Sequence, residues 1–119
     1  MKNTCCLILG IVFLTACKHK TSFNDLSEVS YSRDISPIIS SNCAFSGCHG
    51  TTENRKFDLT TYEGLLRGGV EAGSPEKSKV YTSLKSSGGD RMPQTPYDQL
   101  NEGQILRIYV WIGQGAKNN

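Results

Sequence analysis

The feature that most constrains this chain is the run Cys43-Ala-Phe-Ser-Gly-Cys48-His49, which places two thiols and one imidazole in a short segment. The fold has to hold this segment as a loop in which the three reactive side chains approach one another. Gly47 favours such a loop because glycine accepts backbone conformations that other residues avoid. Cysteine and histidine in close spacing make this segment the first candidate for a cofactor or metal site.

The N-terminal segment differs from the rest of the chain. Lys2 supplies a basic start, residues 7–14 form an apolar run, and Leu14-Thr15-Ala16-Cys17 follows. The apolar run is shorter than the roughly 20 residues that span a bilayer, so we predict a cleaved export signal over residues 1–16. Leu-Thr-Ala-Cys resembles a bacterial lipobox, which implies that Cys17 is lipidated. The alternative is an ordinary secretory signal that ends in a cysteine by chance.

Cleavage and lipidation change the number of available thiols. Of the five cysteines in the chain, Cys5 and Cys6 leave with the signal and Cys17 carries the lipid. Cys43 and Cys48 are then the two thiols that can do chemistry in the folded domain. Two or three acyl chains anchor a protein to a membrane more firmly than one. We expect an exported protein on the periplasmic side, and Lys18 favours the outer membrane because no acidic retention signal follows Cys17.

Length and composition indicate one small domain with a thin core. The chain has 119 residues, 37% of them hydrophobic, and a net charge of +2. This charge excludes the basic footprint of a nucleic-acid-binding protein. Small exported domains usually need a disulfide, a metal or another covalent aid to stability. A buried macrocycle with a large apolar face would supply the missing core.

Helical periodicity recurs along the domain. Residues 18–30 are polar and predict a flexible tether between Cys17 and a domain over residues 31–117. Four segments with apolar residues at helical spacing follow. Their start signals are capping side chains or an early proline, namely Ser32 or Asp34 with Pro37, Thr60 with Glu63, Ser74 with Pro75, and Asn101 with Gln104. We predict a mostly α fold of about four short helices, with Trp111 and Tyr109 of the last helix in the core.

Two cysteines followed directly by a histidine supply the groups that covalent haem attachment needs. Two thiols add to the two vinyl groups, and an imidazole directly after them ligates the iron. The usual spacer between the thiols is two residues, whereas this chain has four. We predict that Cys43 and Cys48 attach one haem c and that His49 is its proximal iron ligand.

Met92 is the candidate for the sixth iron ligand. It is the only methionine beyond the export signal, and the only other histidine, His19, lies beside the lipid anchor. Met92 precedes Pro93, which restricts the local backbone and removes a hydrogen-bond donor. A methionine that only fills the core is the alternative. Arg91 is a candidate partner for a haem propionate.

The order of these pieces resembles the single-haem cytochrome c family, and most closely a variant common in lipoproteins with a Cys-x4-Cys-His motif. The matching segments are residues 34–39, 42–50, 57–62, 68–69, 92–93, 104–105 and 111–116. The resemblance implies a cytochrome c-like domain around one haem and an electron carrier rather than an enzyme. It also implies redox protein partners, such as a respiratory complex, an oxidase or a dehydrogenase. The four-residue spacer departs from the usual family pattern.

Two other functions stay open. In the first, Met92 is labile and an open haem site serves an enzyme or gas sensor, although the sequence offers no distal acid or base for it. In the second, the protein is a haem-free binding module, with Cys43 and Cys48 in a disulfide or with zinc on Cys43, Cys48 and His49. A structural zinc site needs a fourth Cys or His, and only His19 remains.

Overall fold

The fold is mostly helical, as the periodicity predicts. The computed structural model describes residues 22–51 and 57–119, and within them it contains four α-helices and no strand. The helices are α1 (Ser36–Asn42), α2 (Tyr62–Arg67), α3 (Lys79–Lys85) and α4 (Glu102–Gly113). Shorter turns complete the backbone: 3-10 turns at Phe23–Asp25, Pro75–Lys77 and Gly88–Asp90, and a π-helical turn at Tyr31–Ile35 that leads into α1.

The predicted export signal and lipid site, residues 1–17, lie outside the described residues. In the part of the chain that the structure describes, no helix is long and apolar enough to cross a membrane. The predicted mostly α class with four short helices is confirmed. The predicted likeness to cytochrome c rests on the sequence.

The last helix begins where its capping pattern predicts. The Asn101 side chain accepts a hydrogen bond from the Gln104 backbone N–H at 2.9 Å, and the Gln104 side chain accepts one from the Asn101 N–H at 3.0 Å. This reciprocal pair is the capping box, which satisfies two backbone donors that a helix start leaves free. The helix ends at Gly113, also as predicted.

Two predicted helix starts are shifted. Thr61 rather than Thr60 caps α2, because its Oγ1 accepts from Gly64 N at 3.0 Å while the Thr60 hydroxyl donates to Asp58 at 2.6 Å. Ser30, not Ser32 or Asp34, caps the turn before α1 and accepts from the Arg33 N–H at 3.3 Å. In both cases a nearby side chain of the same chemical type is better placed for the cap.

The predicted third helix is interrupted at Ser78. This residue is fully buried, and its hydroxyl oxygen accepts from Glu71 N at 2.8 Å and donates to Ser74 O at 3.0 Å. Such local side-chain bonds compete with helical backbone bonds, and Ser78 has extended backbone angles. The segment therefore divides into the turn Pro75–Lys77 and the helix α3.

The core forms where α4 packs against the turn before α1. Trp111 is 1% exposed, its ring centroid lies 5.9 Å from that of Tyr31, and its Nε1–H donates to Lys117 O at 3.0 Å. The prediction that Trp111 belongs to the core is confirmed, whereas Tyr109 is only half-buried and packs on Phe23 and Tyr81. The other buried apolar side chains of the core are Ile35, Ile38, Ile39, Leu59, Leu65, Leu84, Leu100, Ile105, Ile108, Ile112 and Ala116.

Residues 22–30 pack on α4, whereas the sequence predicts a tether there. The Phe23 ring lies 5.3 Å from the Tyr109 ring. The Gln114 side chain donates to the carbonyls of Phe23 and Ser27 at 3.1 and 3.0 Å and accepts from Val29 N at 2.9 Å. Because one amide side chain satisfies several backbone groups of this segment, the packed domain includes residues 22–30 and begins before the predicted boundary at residue 31.

Candidate cofactor-binding site

A cavity of about 840 Å³ lies among the segment after α1, the helices α3 and α4, and the loop that carries Met92. Cys43, Cys48, His49 and Met92 all line it. Its volume falls in the range of roughly 300–1,000 Å³ that is typical of small-molecule and cofactor sites. The structure thus brings the four predicted site residues to one cavity, although Met92 is far from the other three in sequence.

The cavity wall combines apolar and polar side chains. The apolar ones that the structure describes include Ile39, Leu59, Val80, Leu84 and Ile108, and the polar ones include Lys79, Thr82, Ser83, Ser86, Asp90 and Gln94. A wall of this kind suits a ligand with an apolar body and a few polar groups.

The predicted propionate partner is not in this wall. Arg91 is exposed, and its Nε–H donates to the Gln99 side chain at 2.6 Å, whereas Lys79 is a cation that lines the cavity. Sequence adjacency to Met92 pointed to Arg91. Lys79, which is also exposed, lines the cavity because the first turn of α3 borders it. The role of Arg91 stays a prediction.

The attachment segment, residues 43–49, is a closed loop. The His49 N–H donates to Cys43 O at 3.0 Å, and the Cys48 N–H donates to Phe45 O at 3.1 Å. Gly47 has φ +88°, and a Cβ on Gly50 would lie 3.0 Å from the Phe45 carbonyl group. Glycine is therefore required at the left-handed position and favoured at the close approach. The four-residue spacer closes into a loop that brings the backbones of Cys43 and His49 together.

Cys43 and Cys48 are free thiols, both partly buried. Burial raises the pKa of the Cys43 thiol to about 11, and the nearby Cys48 thiol adds to the effect. A buried thiol is disfavoured as the charged thiolate, so Cys43 carries its proton at neutral pH. The two sulfurs are not joined in this structure.

The His49 ring is oriented by one backbone contact. Its Nδ1 atom lies 3.2 Å from the carbonyl oxygen of Phe57, and the Leu59 N–H donates to the His49 carbonyl at 2.9 Å. A carbonyl oxygen only accepts, so the contact is a hydrogen bond when Nδ1 carries the proton. The lone pair is then on Nε2, which is the arrangement of a metal-ligating histidine with its second nitrogen held by a carbonyl.

The loop that carries Met92, residues 91–99, is called the Met92 loop below. The Met92 N–H donates to Ser83 O of α3 at 3.0 Å. The Gln99 side chain accepts from Arg91 at 2.6 Å and donates to Pro93 O at 2.5 Å. These bonds hold the backbone at Met92 and Pro93 and the side chain of Arg91, so Met92 lies in a braced loop.

Across residues 22–51 and 57–119, no three His, Cys, Asp or Glu side chains gather as ion ligands do. A haem needs no such cluster, because the porphyrin supplies the equatorial nitrogens and the protein supplies axial ligands. The zinc alternative gains no support from this geometry.

Several residues at this site escape sequence reasoning. Phe57 acts through its backbone carbonyl, which leaves no side-chain signal. Lys79 and Tyr97 line the cavity only because α3 and the Met92 loop pack around it. Gln99 bonds to the residues on both sides of Met92 only because the loop folds back on itself. The capping and periodicity that predict the helices carry no information on which loop residue faces a cavity.

Comparison of the chain with protein-family models, with curated proteins and with solved structures finds no match.

Proposed function

We propose that this protein is an exported, lipid-anchored c-type cytochrome that carries electrons between redox proteins. In this proposal Cys43 and Cys48 would attach one haem, His49 and Met92 would ligate its iron, and Cys17 would carry the lipid. The proposal rests on the Cys-x4-Cys-His motif, the export signal and the resemblance described above.

The observation that carries the proposal is the lining of one cavity by Cys43, Cys48, His49 and Met92. Two thiols, one imidazole and one thioether are the donor set of a haem c with histidine and methionine ligation. The hydrogen bond from His49 Nδ1 to the Phe57 carbonyl leaves Nε2 free for the iron. The donor set and the cavity therefore fit this group.

Haem c, when bound, supplies one-electron transfer by cycling between Fe(III) and Fe(II). The protein contributes the rest through its own residues. His49 and Met92 offer one nitrogen and one sulfur, and methionine in place of a second histidine raises the reduction potential. Ile39, Leu84 and Ile108 line the cavity with apolar surface that excludes water. Lys79 in the cavity wall offers a positive charge to an acidic group of the bound cofactor.

Covalent haem can be tested by producing the full chain with its export signal in a bacterium that matures c-type cytochromes. We expect a haem-stained band on a denaturing gel and the mass increments of haem and lipid on the mature protein. The double variant Cys43→Ser/Cys48→Ser should be colourless. Cys17→Ser is the matched cysteine control, since it should keep haem and lose lipid. A colourless wild-type band would defeat the proposal.

The sixth ligand needs a separate measurement. In ferric wild-type protein we expect a low-spin spectrum with the weak band at the red end of the visible that marks methionine ligation. Met92→Leu should keep covalent haem, lose this band and become high-spin. If the wild-type protein is already high-spin, the open-site enzyme or sensor replaces the electron carrier.

A further inference from the structure

The spacer between the two cysteines makes a contact with the Met92 loop. The ring centroids of Phe45 and Tyr97 lie 5.1 Å apart with an interplanar angle of 59°. Aromatic pairs in such tilted arrangements attract each other beyond the effect of burial alone. Tyr97 lines the cavity and is 46% exposed, so it lies at the cavity rim. The pair joins the two segments that carry the predicted haem ligands.

Phe45 is held firmly from its own side. Its carbonyl accepts from the Cys48 N–H at 3.1 Å, and the buried Gly50 approaches it so closely that an added Cβ would lie 3.0 Å away. Phe45 is also one of the four spacer residues. The four-residue spacer thus includes an aromatic residue whose backbone is fixed within the attachment segment and whose ring contacts Tyr97.

Tyr97 and Met92 lie in the same loop, and hydrogen bonds tie the part of the loop before Tyr97 to Gly89. The Tyr97 N–H donates to Gln94 O at 3.0 Å, and Gln94 donates in turn to Gly89 O at 3.2 Å. Met92 itself is bonded to Ser83 of α3. The loop is therefore tied to α3 at Met92 and to the attachment segment at Tyr97. If the Tyr97 end of the loop moves away from the attachment segment, the aromatic pair has to separate.

We propose that Phe45 and Tyr97 are positioning residues that brace the Met92 loop against the attachment segment and keep the Met92 sulfur on the iron. The longer spacer has a role in this proposal, since it carries one half of the brace. The inference rests on the proposed function, because it concerns ligation of haem. It adds two residues outside the ligand set that control how easily another ligand displaces Met92.

The test is a titration of the ferric holoprotein with imidazole. Loss of the absorption band that marks methionine ligation reports how much imidazole has bound. Exogenous ligand competes with Met92, so its apparent affinity increases with the population of the open loop. We expect Tyr97→Leu and Phe45→Leu each to raise imidazole affinity about 2- to 10-fold. The double variant should show little beyond the larger single effect, because both changes remove one contact.

Phe23→Leu is the matched control. Phe23 forms a pair with Tyr109 at 5.3 Å and 56°, almost the same geometry, but on residues that do not line the cavity. This variant should lower the thermal midpoint and leave imidazole affinity unchanged. A Tyr97→Leu protein with unchanged affinity, or a Phe23→Leu protein with an equal rise, would overturn the proposed brace.

The two proposals fail in different ways. Absence of covalent haem from the wild-type protein defeats the proposed function before any imidazole is added. Haem that is attached and ligated by Met92, but displaced equally well in the wild type and both brace variants, defeats only the inference. Tyr97 lies outside the attachment segment, so its variant keeps the attachment residues intact.

Discussion

The Nδ1 atom of His49 lies 3.2 Å from the carbonyl oxygen of Phe57. Because the carbonyl accepts only, this contact selects the tautomer in which Nε2 has the free lone pair. Second contacts of this kind orient ligating histidines, and their loss typically weakens metal binding about 10- to 100-fold. The role predicted for His49 therefore depends on a residue with no functional side chain.

Replacement of His49 by glycine tests this role. We expect His49→Gly to keep covalent haem through the two thiols, lose the low-spin spectrum and regain it when imidazole is added. The reason is that free imidazole can occupy the space of the missing ring and supply the same nitrogen. Optical titration of the ferric protein is the measurement. A His49→Gly protein that stays low-spin without imidazole would show that another residue is the ligand.

Gln99 links both sides of Met92, and its loss should loosen the loop. Gln99→Ala removes the bonds to Arg91 and to the Pro93 carbonyl. At roughly 0.5–1.5 kcal/mol for each bond, we expect the free energy of unfolding to fall by about 1–3 kcal/mol in urea titration. Gln94→Ala, which removes one bond to Gly89, is the control and should cost less. Equal losses in the two variants would contradict the bracing role of Gln99.

Gln114 should fasten residues 22–30 to the domain. Gln114→Ala removes the side chain that bonds to Phe23, Ser27 and Val29, and we expect a loss of about 2–3 kcal/mol in unfolding free energy. Limited proteolysis should cut this segment faster than in the wild type.

The ion pair between Lys117 and Glu28 offers a control in the same region. The two side chains meet at 2.8 Å but are 59% and 60% exposed. Exposed pairs contribute little, typically below about 1 kcal/mol, so Lys117→Met should leave proteolysis almost unchanged. If Lys117→Met loosens the segment as much as Gln114→Ala does, the charge pair and not the amide fastens it.

The Cys43 thiol should make the stability of the haem-free protein depend on pH, and haem attachment should remove this dependence. Its pKa in the fold is raised to about 11 by burial, whereas an unfolded cysteine titrates near roughly 8.5. Between these values the unfolded chain binds fewer protons than the folded one, so the stability of haem-free protein falls as pH rises from about 8.5 to about 11. Cys43→Ala should flatten this decline.

Denaturant titrations from pH 7 to 11 on protein made without export measure this decline. The holoprotein should lack it, because a thioether carries no proton. Alkylation provides a second measurement: iodoacetamide should label Cys43 about tenfold faster for each unit by which the pH rises toward its pKa, because only the thiolate reacts. Rapid labelling of Cys43 at pH 7 would contradict its burial.

Gly64 of α2 has no room for a side chain. A Cβ there would overlap the Asp58 carbonyl oxygen. Alanine is normally favoured over glycine inside a helix by about 1 kcal/mol, yet we expect Gly64→Ala to destabilise the protein by roughly 1–3 kcal/mol because the packing is too close. Gly73→Ala provides the comparison, since its Cβ would meet nothing and only its φ of +80° is unfavourable. Thermal unfolding should show the larger loss for Gly64→Ala.

Local sequence signals predicted α4 correctly, because its ends and its buried face depend on residues that are close together in the chain. The capping box of Asn101 and Gln104 and the apolar spacing of Ile105, Ile108 and Ile112 define α4 with the correct ends. The caps of α1 and α2 are misplaced because several serines, threonines and aspartates stand together, and tertiary geometry selects among them. Ser78 interrupts the third helix because a buried hydroxyl takes its bonds from residues 71 and 74.

The sequence by itself determined the helical class, the last helix and the short list of reactive residues, since periodicity, caps and rare side chains are properties of neighbouring residues. Only the tertiary structure decided that Met92 shares a cavity with Cys43, Cys48 and His49. It also placed Lys79 in the wall in place of Arg91 and packed residues 22–30 on α4. These outcomes depend on contacts between segments that are distant in the chain, and no local pattern encodes which surfaces meet.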